Sequence, residues 1–291
     1  MDLQQALNEI KHDSLPSVTL NGNTLSEADV ETLVQALTNS IFVKKLSLIN
    51  CNLNLAAAKS LARLLETNDR IQELALTHNH VQDEGAKCIA EALKKNKSLK
   101  ELYLVTNGIN DEGGAALAEA LAHNKGLERL ALQSNPLGKK TVEALNRSIK
   151  KNETLSALNI GGSNIPSDSA DMLIDAIKFN TTLDELIVEN TDIPIDDQVR
   201  IKALLDPQSL TQRTASPPQP KIAPERFAEL KSLFNAANWV GKIKEMKETW
   251  EVLPPEEKEV FDISGYVAEA RRLIPGGVKK IILRRPSPPQ G

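Results

Sequence analysis

Aromatic residues make up only 3% of this 291-residue sequence, and cysteine is scarcer still, with Cys51 and Cys88 the only two. Two thiols this far apart form neither a disulfide framework nor a metal-ligand spacing, so both read as reduced thiols. No glycine-rich phosphate loop, P-loop lysine, serine elbow or ligand cluster is present. His78 and His80 flank Asn79 without a third ligand nearby and read as exposed imidazoles. These gaps predict a non-enzymatic protein with no cofactor, no metal and no catalytic residue.

Long hydrophobic runs are missing too. No segment approaches the roughly 20 apolar residues needed to cross a bilayer. The start, MDLQQALNEIKHD, lacks the basic flank and apolar centre of a secretory leader. The expectation is a cytoplasmic monomer that neither spans a membrane nor binds nucleic acid. The charge, −4 overall, is uneven: residues 1–206 hold 21 Lys and Arg against 29 Asp and Glu, whereas residues 207–291 hold 14 against 10.

What the sequence does have is a period. Leu15, Val43, Ile71, Leu99, Leu127, Leu155 and Leu183 stand 28 residues apart, seven units without an insertion. Three positions on come Val18, Leu46, Leu74, Leu102, Leu130, Leu158 and Leu186, and two further come Leu20, Leu48, Leu76, Leu104, Leu132, Ile160 and Val188. Alternate residues of a strand share a face, so these predict a short strand with two inward positions per unit. The slot Asn23, Cys51, Asn79, Asn107, Asn135, Ser163 and Thr191 is small and polar. An amide there can bond both its own loop and the neighbouring unit. Ala86, Ile89, Ala90 and Leu93 show the helical spacing of each second half. Asp83 and Asp111 fall where a helix N-cap belongs. Asn68, Asn96, Asn124, Asn152 and Asn180 follow the helices, where a residue tolerating the left-handed conformation ends them.

The pattern Leu-x-x-Leu-x-Leu-x-x-Asn-x-Leu, followed by Gly-Ala-x-x-Leu-Ala-x-Ala-Leu, resembles the ribonuclease-inhibitor type of leucine-rich repeat, and residues 99 to 126 match it almost throughout. The resemblance covers residues 15 to about 206. It implies an α/β leucine-rich-repeat solenoid of seven 28-residue strand-helix repeats with a parallel sheet on the concave face, joined to a small C-terminal α-helical domain. The glycine of Gly85 and Gly113 is replaced by Asp29, Ala57, Thr141, Ser169 and Asp197 in other units, so those helices are expected to begin differently.

Around the repeats, residues 1–14 read as a capping helix, with Leu3, Ala6, Leu7 and Ile10 on one face. Residues 207–224 read as a proline-rich linker. Residues 225–274 read as the small helical domain, which holds Phe227, Phe234, Trp239, Trp250, Phe261 and Tyr266, and residues 275–291 as a basic, proline-rich tail. A core that small suggests docking onto the last repeat. The end of the chain, with Arg271 and Arg272 before the tail, Lys279, Lys280, Arg284 and Arg285 within it and no acid after Glu269, reads as a solvated segment, an anionic-surface binder or an import address.

A solenoid ordinarily binds through the side chains its strands present. The register puts Lys45, Glu73, Glu101, Arg129 and Glu185 in one outward column, Tyr103, Asn159 and Ile187 in a second, and Ile49, Thr77, Val105, Gln133 and Glu189 in a third. Tyr103, flanked by Glu73, Glu101, Val105 and Arg129, is the expected anchor for a protein partner. The leaderless start, short repeats and added helical domain resemble effectors that intracellular bacteria inject into host cells, which implies secretion into the host cell without a signal peptide and a host protein as partner. Bacterial repeat effectors with a cysteine-dependent ubiquitin-ligase domain are set aside, because no cysteine follows Cys88. Two rivals rest on other resemblances. Ran GTPase-activating proteins are built from similar repeats but end in an acidic tail, and leiomodin-like proteins join such repeats to an actin-binding segment whose Leu-Lys-Lys-Val core Val278–Lys279–Lys280–Ile281 resembles.

Overall fold

A computed structural model of the chain describes residues 1–12, 15–206, 229–230, 232–234, 243–251 and 253. The chain divides into two compact units, Met1–Ala215 and Ser216–Gly291. The linker at 207–224, Phe227, Trp239, Phe261, Tyr266 and the tail at 275–291, with its actin-like Val278 to Ile281, lie outside the described residues.

The first unit alternates helix and strand throughout: α1 (Leu3–Lys11), β1 (Ser17–Thr19), α2 (Glu27–Thr38), β2 (Lys45–Ser47), α3 (Leu55–Thr67), β3 (Glu73–Ala75), α4 (Gln82–Lys95), β4 (Glu101–Tyr103), α5 (Asp111–Leu121), β5 (Arg129–Ala131), α6 (Lys139–Ile149), β6 (Ala157–Asn159), a 3-10 turn at Ser167–Ser169, α7 (Ala170–Lys178), β7 (Glu185–Ile187) and α8 (Ile195–Leu205). The strands form one parallel seven-stranded sheet in sequence order. Lys45 pairs with Glu73, Glu73 with Glu101, Glu101 with Arg129, Arg129 with Ala157 and Ala157 with Glu185. An unvarying 28-residue period is what produces this zero stagger, since every strand is followed by the same length of return.

The two inward strand positions of every unit are buried, from Val18 and Leu20 to Leu186 and Val188. They meet the helix faces predicted by spacing, including Ala86, Ile89, Ala90 and Leu93. One continuous apolar core results, and α1 extends it at the first end by burying Ala6 and Ile10. In the second unit, Leu230, Phe234 and Met246 are buried, Leu233 is exposed, and a helix, α9, spans Ile243–Glu251.

Two asparagine ladders hold neighbouring repeats together. Asn79 Nδ2 donates to Leu48 O and Leu76 O, both at 2.8 Å, and its Oδ1 accepts from the N–H groups of Cys51 and Leu53, both at 3.0 Å. This is the loop-and-neighbour bonding expected of the polar slot. Cys51 does part of the same work, its thiol donating to Leu20 O at 3.1 Å. Burial pushes that thiol's pKa up, which disarms it as a nucleophile.

The second ladder corrects the reading of Asn68, Asn96, Asn124, Asn152 and Asn180. None has a positive φ, and Asn96 is extended at φ −69° and ψ 135°. Asn96 Nδ2 donates back to Leu65 O at 2.7 Å, and its Oδ1 accepts from Leu99 N–H at 2.8 Å. The residue recurs because carbonyls at the end of the previous helix are buried and need a donor, not because the backbone turns left-handed.

Asp83 and Asp111 are corrected similarly. Asp83 is the second residue of α4 and Asp111 the first of α5, and each carboxylate serves the following repeat. Asp83 Oδ1 accepts from Asn110 N–H at 2.7 Å and Gly113 N–H at 3.1 Å. Asp111 accepts from the N–H groups of Gly138, Lys140 and Thr141 at 2.8 to 2.9 Å. A Cβ at Gly113 would come within 2.6 Å of Asp83 Oδ1, which explains glycine there.

Candidate interaction face

Because the register is unstaggered, the three outward columns run straight across the sheet. Lys45 forms an ion pair with Glu73 at 2.6 Å. Glu101 accepts a hydrogen bond from the Tyr103 hydroxyl two residues away. Partial burial of the Tyr103 phenol, that bond to Glu101, and the negative charges of Glu101 and Glu73 push its pKa up to about 12, against the opposing pull of Arg129. Tyr103 is half-buried.

Next to Tyr103 the sheet surface opens into a groove of about 150 Å³. Of the predicted residues, Tyr103, Arg129, Gln133, Asn159, Glu185 and Ile187 line it together. Lys45, Glu73 and Glu101 continue the outer column beyond β4, while Ile49 and Val105 are half-buried in the third column and do not reach the groove. Arg129 is exposed and makes no ion pair among the described residues. Gln133 Oε1 is shielded from solvent and has no hydrogen-bond partner among the described residues.

Ala131 and Ala157 also line the groove, and the outward columns had not singled them out. They create the opening. Ala157 stands between Arg129 and Glu185, and Ala131 between Tyr103 and Asn159, so each is a gap in a row of larger side chains. The signal was present in the sequence as a small residue in each column, but a search for hot-spot side chains passes over alanine.

Elsewhere, His78 and His80 are exposed, and no group of three or more His, Cys, Asp or Glu residues suited to a metal ion occurs among the described residues. No described helix is long and apolar enough to cross a membrane.

Residues 70–90 and 95–118 match the family described as Leucine Rich repeat. With the seven parallel strand-helix units, this makes the fold a leucine-rich-repeat solenoid. No curated protein matches the chain. Among solved structures, the chain is similar to leiomodin-1 actin-binding site 2, at 19% identity and a TM-score of 0.37, covering 80% of this chain and 98% of that one. It is also similar to the tropomodulin C-terminal domain of Caenorhabditis elegans, at 16% identity and a TM-score of 0.33, covering 73% and 95% respectively.

Proposed function

We propose that the protein is a non-enzymatic interaction protein that holds a protein partner on the strand face of its repeats, centred on the groove beside Tyr103. The observation that carries this is the meeting, in one recess, of an aromatic wall, the Arg129 guanidinium and Gln133 Oε1, the last two without an ion pair or hydrogen-bond partner among the described residues. A buried acceptor without a donor costs free energy, on the order of 1–3 kcal/mol, and turning the Gln133 amide out toward a partner N–H recovers it. Aromatic and arginine side chains in a desolvated recess are the usual centres of binding energy. In its finer form the proposal makes the repeats ribonuclease-inhibitor-like and the chain an effector secreted into a host cell, where its partner is a cytoplasmic host protein. The sequence resemblance supports that form.

The test is an affinity capture from eukaryotic cell lysate with the full chain, the Tyr103→Ala/Arg129→Glu double variant and a control variant, Lys94→Glu, on a repeat helix. A protein captured by the full chain and the control, and lost with the double variant, supports the reading. Retention of every captured protein by the double variant overturns it.

A further inference from the structure

Among the described residues, the last repeat leaves its sheet edge unfinished. In the preceding units, N–H groups pass forward in register: Leu132 donates to Asn159 O and Ser134 to Gly161 O, then Ile160 to Ile187 O and Gly162 to Glu189 O, at 2.8 to 3.0 Å. The equivalent donors just past β7, Val188 N–H and Asn190 N–H, have no acceptor among the described residues. Ser156 O accepts from Asp184 and Glu185, whereas its equivalent, Asp184 O, has no donor there. Such an edge is a template for another strand.

Beside this edge lies a cavity of about 550 Å³. Its helical wall is α8, where Ile195 and Val199, one turn apart, are 70% and 61% exposed. The first repeat differs, since α1 covers its flank. Charge is also concentrated here: residues 155–206 hold ten Asp and Glu against three Lys and Arg, which is most of the excess acidity of the whole array.

We propose that this end is a second docking site, adjoining the groove through Glu185 and Ile187, which takes an extended peptide of alternating apolar and basic residues as an eighth parallel strand. The alternation follows from the register. A strand added to β7 places every second side chain over Leu186 and Val188, toward Ile195 and Val199, and the intervening ones beside Glu185 and Glu189. Backbone hydrogen bonds hold the peptide, and the two faces of the edge select its residues. The same acidity opposes a second copy of this chain end to end, because Glu185 and Glu189 would face their own counterparts.

The experiment measures fluorescence anisotropy of a labelled Lys-Val-Lys-Ile-Lys-Val-Lys peptide added to the full chain. Saturable binding is expected, weakened at least tenfold by Glu185→Lys/Glu189→Lys and by Ile195→Asp/Val199→Asp in the protein. Arg129→Glu leaves it unchanged, which separates this site from the groove. N-methylation of one alternate set of peptide amides abolishes binding, and methylation of the other set does not. The proposal is overturned by absence of binding, by equal binding of a Lys-Gly peptide of the same charge, or by indifference to both methylation sets.

Discussion

Asn107 and Asn135 occupy the same slot in successive repeats and are bonded head to tail, the Asn107 N–H donating to Asn135 Oδ1 at 2.8 Å. Asn135 also accepts from Ile109 N–H and donates to Leu104 O and Leu132 O. One buried amide thus satisfies four backbone groups in two repeats. Asn135→Ala removes all four partners, and leaving them unpaired in a dry interior lowers stability by about 3 kcal/mol or more, read as a drop in the denaturant midpoint. Asn23→Ala, at a half-buried site, costs far less. An equal loss at the two positions would sink the ladder argument.

Ser163 holds the same slot one repeat further on, where its buried hydroxyl lacks a partner among the described residues. Ser163→Asn restores an acceptor within reach of the preceding loop. A gain of about 1 kcal/mol is expected, the net value of a typical hydrogen bond. Thermal unfolding of the variant checks it.

Asp111 joins α5 to the start of α6. Burial alone would raise its pKa, but hydrogen bonds from Thr141, Lys140 and Gly138 outweigh that and hold the carboxyl below its ordinary value. A carboxyl whose pKa is depressed by folding stabilises the protein above its unfolded pKa, about 3.9, and loses that contribution as pH falls through the folded value. Asp111→Asn therefore unfolds at a lower denaturant concentration than the parent at pH 7, and the difference shrinks as pH falls below about 4. A pH-independent difference would contradict the assignment.

The phenol of Tyr103 offers a spectroscopic test. In a Tyr266→Phe background it is the single tyrosine. Its absorbance titration is expected to centre near pH 12, and Glu101→Gln to move the midpoint down toward the ordinary value of a tyrosine. Because folding raises this pKa, the stability linked to it is complete below about pH 10 and is lost as pH rises toward the folded value. A midpoint near 10 in the folded parent would mean that the ring stands free of Glu101.

By contrast, the Lys45–Glu73 pair joins an exposed lysine to a partly exposed carboxylate. Lys45→Ala is expected to change stability by less than about 1 kcal/mol. Leu102→Ala, fully buried beneath the same face, costs about 2–5 kcal/mol. Chemical denaturation of the two variants side by side separates packing from surface charge.

The sequence by itself determined the repeat. A 28-residue period in leucine, with one small polar slot per unit, specifies strand, turn, helix and zero stagger, since each inward position has a single apolar environment to occupy. It also placed the outward columns correctly, because a strand alternates its faces. It did not reveal where the bonds of Asn96 and Asp83 go. Residues that follow or begin a helix suggest local caps, yet both bond to a neighbouring unit, and a spacing read along one chain carries no trace of a partner 27 to 31 positions away. Only the tertiary structure decided that Ala131 and Ala157 open a groove beside Tyr103, and that among the described residues β7 is the last strand and the donors that follow it are unanswered. Both are properties of neighbours that stacking brings together, and a gap has no residue of its own to be read.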